Sequence, residues 1–150
     1  MPLPMTLKNR LLSNLWRITP RAASTNPQTA ATAYFNVTGG RVIVVNIIGE
    51  VTVVMGVGNL NWLSNPTTHA TLAMCSAVAC TGDLVGQLYS LPSAVGGALN
   101  VDTTVCELGY LGMICHIGDL ELNASASVVG ETKWDCIWLP FDEGAAVNAT

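Results

Sequence analysis

Few side chains in this sequence could do acid–base or nucleophilic chemistry, and two of them are adjacent. Cys115 and His116 could act as a nucleophile and its base, or as two metal ligands. Neighbouring residues on a strand point to opposite faces, however, which opposes a direct partnership. The second histidine, His69, follows the stretch Asn-Pro-Thr-Thr, where an exposed polar residue is ordinary. We therefore predict no catalytic residue and no metal ligand here.

Asp119 and Glu121 form a second chemically competent pair, because they share one face of a predicted strand. Glycoside hydrolysis requires two carboxylates that face each other across a substrate. Asn123, Ser125 and Ser127 continue the same face, and this alternation is typical of a strand face in water. The sequence therefore favours a solvated face, and it predicts no enzyme and no cofactor. A glycan hydrolase is the alternative, and turnover abolished by Asp119→Asn would support it.

The cysteines are odd in number, and their spacings contain no CxxC pair that would predict a zinc site or a redox motif. Four of the five have apolar neighbours. We predict free, buried thiols in a protein assembled in a reducing cytoplasm. The five are Cys75, Cys80, Cys106, Cys115 and Cys136.

The stretch of residues 33–57 predicts the strands around which the chain is organised. Alternate positions between residues 43 and 55 are all apolar or glycine, as a half-buried strand requires. Its many valines and isoleucines favour a pleated surface, and its polar residues argue against a membrane span. We predict a strand, a tight turn at Gly39-Gly40, and then a long bent strand or a second hairpin. Gly49, in the middle of the run, predicts a bulge or a sharp bend.

Short strands and turn signals follow to the end of the chain, which predicts about eight strands in all. This pattern is typical of an all-β fold, an antiparallel β-sandwich that is jelly-roll-like. We predict a sandwich domain at residues 33–150 and an extended N-terminal arm at residues 1–32.

Charge is scarce and unevenly placed. Charged residues make up 11% of the chain, whereas about a quarter is usual, so much of the surface is expected to be covered by partners. Five of the six basic residues lie in the first 41 positions, and no acidic residue precedes Glu50. A basic arm on an acidic body suits an acidic protein surface. Nucleic acid is the alternative, but it is not favoured because the charges are sparse and few aromatic residues accompany them.

The arm itself divides into two parts. Residues 5–18 could form a short amphipathic helix, with Leu7, Leu11, Leu15 and Ile18 on one side. The Thr-, Ala-, Ser- and Pro-rich segment that follows predicts an extended linker or a strap across another subunit, although the arm could instead pack on its own domain. The first 20 residues lack the apolar run of a secretory signal, so none is predicted.

Several spaced motifs resemble small structural proteins of tailed bacteriophages. They are FNVTGGRVIVVNIIGEVT, SNPTT, LELNASAS and the closing KWDCIWLPFDEGAAV. In that family a TGGRV turn leads into a bulged double strand, and a K-W strand ends in a P-x-D-x-G-A segment. The resemblance covers about residues 33–147. The departures are the cysteine-rich middle and the long basic N-terminal segment.

The resemblance implies a capsid decoration, or cement, protein that binds the outer face of the shell. Its expected partners are the major capsid protein and further copies of itself, as a homo-oligomer that is most simply a trimer. We expect it in the virion, after synthesis in the host cytoplasm, with no membrane partner. The predicted capsid-binding arm residues are Leu7, Lys8, Arg10, Leu11, Leu15, Trp16, Arg17, Ile18 and Arg21.

A tail, baseplate or head-fibre component is the alternative within the same virion. It could be a receptor- or carbohydrate-binding module, in which Trp62 and Tyr110 would be exposed and form a platform for sugars. The local sequence instead predicts that residues 56–68 form a loop, which Trp62 and Leu63 anchor on the core.

Overall fold

The computed structural model describes residues 16–28, 30–94, 96–102, 112–125 and 127–150. These residues form two antiparallel sheets packed face to face, and none of them lies in a helix. The predicted all-β sandwich is therefore confirmed. No helix within these ranges has the length and hydropathy that crossing a membrane requires.

The strand count exceeds the predicted eight because five of the strands have only two or three residues. Sheet A contains β1 (Arg17–Thr25), β3 (Val42–Val53), β7 (Leu88–Ser90), β8 (Asn100–Asp102), β9 (Met113–Cys115) and β11 (Glu131–Pro140). Sheet B contains β2 (Thr32–Thr38), β4 (Asn59–Pro66), β5 (Leu72–Ala73), β6 (Val78–Ala79), β10 (Gly118–Ala124) and β12 (Ala146–Ala149).

The strand pairings are nested, as in a long hairpin that has been rolled up. β1 pairs with β11, β2 with β10, β3 with β9, and β4 with β5. The first four strands lie in alternate sheets, which gives the order of a jelly roll with β12 added at one edge. The Gly39-Gly40 turn therefore joins β2 to β3 across the two sheets and does not close a hairpin.

The first part of strand β3 is apolar on both faces, and the register of the strand shifts twice. Where β3 pairs with β11, the shifts leave Val45 and Thr52 as extra, bulged residues of β3. These bulges lie on either side of Gly49, so the prediction of a bulge at Gly49 itself is wrong. Val42 and Val44 face the main core before the first bulge, and Ile47 and Val51 face it after. On the outer face of sheet A, a second apolar cluster contains Ile43, Val45 and Leu139, with Ile137 and Phe141 packed against it.

Five aromatic rings fill the centre of the sandwich. Trp134 of sheet A meets Trp62 of sheet B edge to face, with ring centroids 5.0 Å apart. Tyr34 and Phe35 contact Trp62 at 5.9 and 6.0 Å, and Tyr89 stacks on Trp134 at 5.8 Å. Each such pair contributes about 0.5–1.5 kcal/mol beyond its buried area. The cluster therefore holds the two sheets together.

Gly49 makes room for this cluster. It pairs with Trp134 on one side and with Tyr89 on the other. A Cβ atom at Gly49 would lie 2.5 Å from Cζ3 of Trp134, so only glycine lets the indole lie flat across the strand.

Two of the motifs meet at one end of the sandwich. Gly39, with φ +72°, passes so close to Gly144 that a Cβ on Gly39 would overlap the carbonyl oxygen of Gly144. Beside it, Arg41 donates hydrogen bonds to both carboxylate oxygens of Asp142, each at 2.9 Å, and its guanidinium lies over the ring of Phe141. The backbone N–H of Arg41 adds a third bond to Asp142, at 2.8 Å. The turn between β2 and β3 is thus fastened to the turn between β11 and β12.

We expect Gly49→Ala to destabilise the protein by about 1–3 kcal/mol, the usual cost of overpacking a core. The measurement is the free energy of unfolding from denaturant titration. Because the clash is with one ring, Gly49→Ala should cost less in a Trp134→Leu background than in the wild type. Additive costs would contradict the proposed contact.

We also expect a pH-dependent contribution from the Arg41–Asp142 pair. Arg41 lowers the pKa of Asp142 from its usual 3.8 to about 2, chiefly through side-chain hydrogen bonds. Because this pKa is depressed in the folded state, the stabilisation is complete above the unfolded value and is lost as pH falls towards 2. In urea titrations, the wild type should exceed Asp142→Asn in stability at pH 5, and the difference should shrink between pH 4 and pH 2.

Glu143→Gln, at the exposed neighbouring carboxylate, is the matched control and should follow the wild-type profile. A constant difference between wild type and Asp142→Asn over the whole pH range would exclude this role for the pair.

Candidate interaction surfaces

The described part of the predicted arm is a strand of the chain's own sheet A. β1 pairs with β11 from Arg17↔Trp138 to Thr25↔Glu131. The prediction of a helix is therefore wrong for Arg17 and Ile18, and a linker or strap does not describe residues 17–25. The remaining predicted arm residues lie outside the described residues, and they are Leu7, Lys8, Arg10, Leu11 and Leu15.

Polar bonds fasten β1 and the residues after it to the sandwich. Trp138 donates its indole N–H to Thr19 Oγ1 at 2.9 Å, and the Thr19 hydroxyl donates to the carbonyl of Val147 at 2.9 Å. Farther along, the buried Asn26 accepts a 2.7 Å bond from the Thr132 hydroxyl, which in turn accepts one from the Trp134 indole. The hydrogen bonds of Thr19 thus join β1 to both sheets, and those of Asn26 and Thr132 join the residues after β1 to the aromatic core.

Arg17 and Arg21, which were predicted to meet an acidic capsid surface, contact the chain's own aromatic rings. The guanidinium of Arg17 lies 5.2 Å from the ring centroid of Trp138, and that of Arg21 lies 3.7 Å from the ring centroid of Tyr34. Arg21 also donates to the carbonyl of Thr150 at 3.1 Å. These contacts hold both cations against the edge of the sandwich.

The outward face of β1 is apolar instead of basic. Ile18 is 64% exposed and Trp16, just before the strand, is 40% exposed. Pro20 is exposed on the same face, two residues farther on. We call Trp16, Ile18 and Pro20 the edge row. The sequence analysis assigned Ile18 to the apolar face of a helix, so it missed this strand alternation with a period of two residues.

A groove opens at the opposite edge of the sandwich, between β5 of sheet B and β9 of sheet A. It has a volume of about 410 Å³, and its lining includes Leu72, Ala73, Met113 and Ile114. Leu72 is 71% exposed and Ile114 is 53% exposed. Nothing local in the sequence predicts this edge groove, because its two walls are about 40 residues apart in the chain.

The two histidines meet at this groove. Their ring centroids are 4.5 Å apart, and Nδ1 of His69 lies 2.8 Å from the hydroxyl of Thr68. His116 is exposed while Cys115 is buried, as neighbouring strand residues should be, and burial raises the pKa of the Cys115 thiol to about 11. A buried, protonated thiol is a poor nucleophile. Within the described ranges, no group of three or more metal-ligating side chains occurs.

The carboxylates Asp119 and Glu121 lie on the outer face of sheet B and are bonded to amides. Asn36 donates to Asp119 at 2.7 Å, and Asn65 donates to Glu121 at 2.9 Å. Asn123 donates to Asn61 at 2.9 Å on the same face. The two carboxylates thus bond to amides of different neighbouring strands, which makes this face a polar ladder.

Trp62 lies on the core as predicted, with its side chain 0% exposed, so the exposed position that the sugar-binding alternative requires is wrong. The predicted loop around it is also wrong, because Asn59–Pro66 form strand β4. Tyr110 lies outside the described residues. The four described cysteines, Cys75, Cys80, Cys115 and Cys136, are free and buried as predicted.

The largest group of exposed apolar side chains lies at one end of the sandwich. Backbone hydrogen bonds join its three loops, from Met55 N–H to the carbonyl of Asp83 at 3.0 Å and from Gly56 N–H to the carbonyl of Val129 at 2.6 Å. We call this group the apolar loop end: Val53, Val54, Val57, Leu84, Val85 and Val129, which are 45–75% exposed. Sequence reading missed it because these residues were assigned to turns.

No protein-family model, curated protein or solved structure matches the chain.

Proposed function

We propose that this protein is a structural component of a bacteriophage virion, a decoration or cement protein that binds the outer surface of the major capsid shell. It acts by binding alone and catalyses no reaction. Its partners are the major capsid protein and other copies of this chain.

The stretches that carry the phage resemblance are contacts that build the fold. TGGRV and PFDEGA meet through Arg41 and Asp142. SNPTT meets the strand LELNASAS through Asn65 and Glu121, and Thr67 N–H donates to the carbonyl of Ile117 at 3.0 Å. The motifs therefore behave as a structural signature, which suits a family whose members share a scaffold and not an active site.

The apolar loop end is the observation that carries the proposal. Six large aliphatic side chains are exposed together on a protein whose whole chain has only ten acidic and six basic residues. Contiguous exposed apolar surface of this kind marks an interaction site. We assign the contact with the shell to this end, together with the predicted arm residues that precede β1.

The first experiment is a cryo-EM map of the virion with this chain traced. The proposal expects density on the outer face of the shell at threefold or quasi-threefold positions, with the apolar loop end or the arm against a capsid subunit. Density confined to the tail would reject it and favour the tail or baseplate alternative.

We expect Val57→Asp and Leu84→Asp each to weaken binding to capsids that lack this protein by about tenfold or more, because a charge would be desolvated at the contact. Co-sedimentation of purified protein with such capsids measures the occupancy. Ile117→Asp, at an exposed aliphatic residue of the opposite end, is the matched control and should bind normally. Unchanged occupancy for both loop variants would reject this surface.

The arm is tested separately, and the structure restricts the deletion that can be used. Removing residues 1–30 would take away β1 and its bonds to Trp138, so it would damage the sandwich. Removing residues 1–15 leaves β1 in place. We expect that truncated protein to unfold cooperatively like the wild type and to lose capsid binding, whereas wild-type occupancy would exclude an arm contact.

A further inference from the structure

The edge groove is a preformed cavity between the two sheets. Its volume of about 410 Å³ lies within the range of about 300–1,000 Å³ that is usual for sites binding one small molecule. The pairing of β5 with β4 holds one wall in place, and the pairing of β9 with β3 holds the other. At one end, Thr67 N–H donates to the carbonyl of Ile117 at 3.0 Å, which joins the turns that follow β4 and β9. A ligand would therefore meet a groove whose walls are already in place.

The body of the groove suits an alkyl chain. Its walls are mainly aliphatic and thioether side chains, among them Leu72, Met74, Met113 and Ile114. None of the described residues that line it is Lys, Arg, Asp or Glu, so an alkyl chain would desolvate no formal charge of the walls. Phe, Tyr and Trp are also absent from this described lining, so a flat aromatic ligand would find no such ring to stack on.

Two imidazoles lie together at one end of the groove. His69 comes shortly before β5 and His116 comes directly after β9, so both are beyond the same end of the two wall strands. Their ring centroids are 4.5 Å apart, and both side chains are exposed. Nδ1 of His69 is in contact with the Thr68 hydroxyl at 2.8 Å, so Nε2 is the nitrogen of this ring left to bind a ligand.

The charge at this end of the groove depends on the two histidines between pH 5.5 and pH 8. Cys115, which also lines the groove, stays protonated because burial raises its thiol pKa to about 11. Asp142 interacts electrostatically with His116, and it stays ionised because Arg41 lowers its pKa to about 2. Histidine side chains, in contrast, gain positive charge over this pH range. An anionic group at the imidazoles would therefore be attracted more strongly as pH falls.

We propose that the edge groove binds a medium-chain alkyl carboxylate, with the chain between β5 and β9 and the carboxylate at His69 and His116. Such a molecule has the same two parts as the groove, an apolar body and one charged end. The carboxylate can accept hydrogen bonds from both imidazolium rings, which are charge-assisted. This site goes beyond the proposed function and does not depend on capsid binding.

Calorimetric titration of the purified full-length protein with hexanoate, octanoate and decanoate at pH 5.5 tests the proposal. Each added methylene that is buried should raise the affinity about fourfold. Octanoate should bind about fivefold or more tightly than 1-octanol at pH 5.5, and this ratio should fall towards one at pH 8. In methyl NMR spectra, octanoate should shift the resonances of Met74 and Met113.

Variants of the two parts of the groove complete the test. The double variant His69→Gln and His116→Gln should bind octanoate no better than 1-octanol at either pH. Leu72→Asp should bind neither molecule, and Ile114→Asp replaces it if that variant fails to fold. Val57→Asp, at the apolar loop end, is the matched control and should bind like the wild type. A wild type that does not bind octanoate, that ignores chain length or that does not distinguish octanoate from 1-octanol at pH 5.5 would overturn the proposal. Wild-type binding by the folded groove variants would do the same.

Discussion

The contact between Trp134 and Gly49 is the constraint on which the rest of the structure depends. The indole lies across the strand at the one position without a side chain, and from there it reaches Trp62 in the other sheet. The two bulges in β3, at Val45 and Thr52, lie on either side of this contact. They let the strand pack on the core along its length while also presenting apolar residues on its outer face. Trp134 also helps to hold β1 in place. Its indole N–H donates to Thr132, whose hydroxyl donates to Asn26, the residue directly after β1.

The described surface is divided by chemistry into polar and apolar regions. The outer face of sheet B is a polar ladder of amides and carboxylates bonded to one another. Among the described residues, the large exposed apolar side chains lie at the apolar loop end, in the edge row and around the edge groove, with Ile117 at the opposite end from the apolar loop end. Arg17 and Arg21, which were expected to contact an acidic partner, contact aromatic rings of their own chain instead. Because the chain has few charges, we expect contact of apolar surfaces to be the main source of affinity in the proposed interaction.

Local periodicity was enough to predict the sandwich, the buried cysteines and several of the strands, because burial of one face imposes a period of two wherever a strand lies on a core. The prediction failed where one residue fits both the helical and the strand period. Ile18 is spaced from Leu15 as on one face of a helix, and from Trp16 as on one face of a strand. It also failed for Asn59–Pro66, which form β4 but were assigned to a loop because of their asparagine and proline residues, although Trp62 was correctly expected on the core. Three further features join residues that are distant in the chain. His69 and His116 are 47 positions apart, and Arg41 and Asp142 are 101 positions apart. The two walls of the edge groove lie on different sheets. Only the order of strands brings them together, and periodicity carries no information about that order.

The nested pairing has a consequence for how the protein is made. β1 is synthesised before its partner β11, which lies more than 100 residues farther along the chain, so the edge strand has no partner in its sheet until β11 has been made. Contacts this distant along the chain make folding slow and leave apolar strands uncovered in the meantime. A chain that has not yet reached β11 also has no partner strand to order the edge row, so this exposed apolar surface takes its final form only after the distant strand has been made.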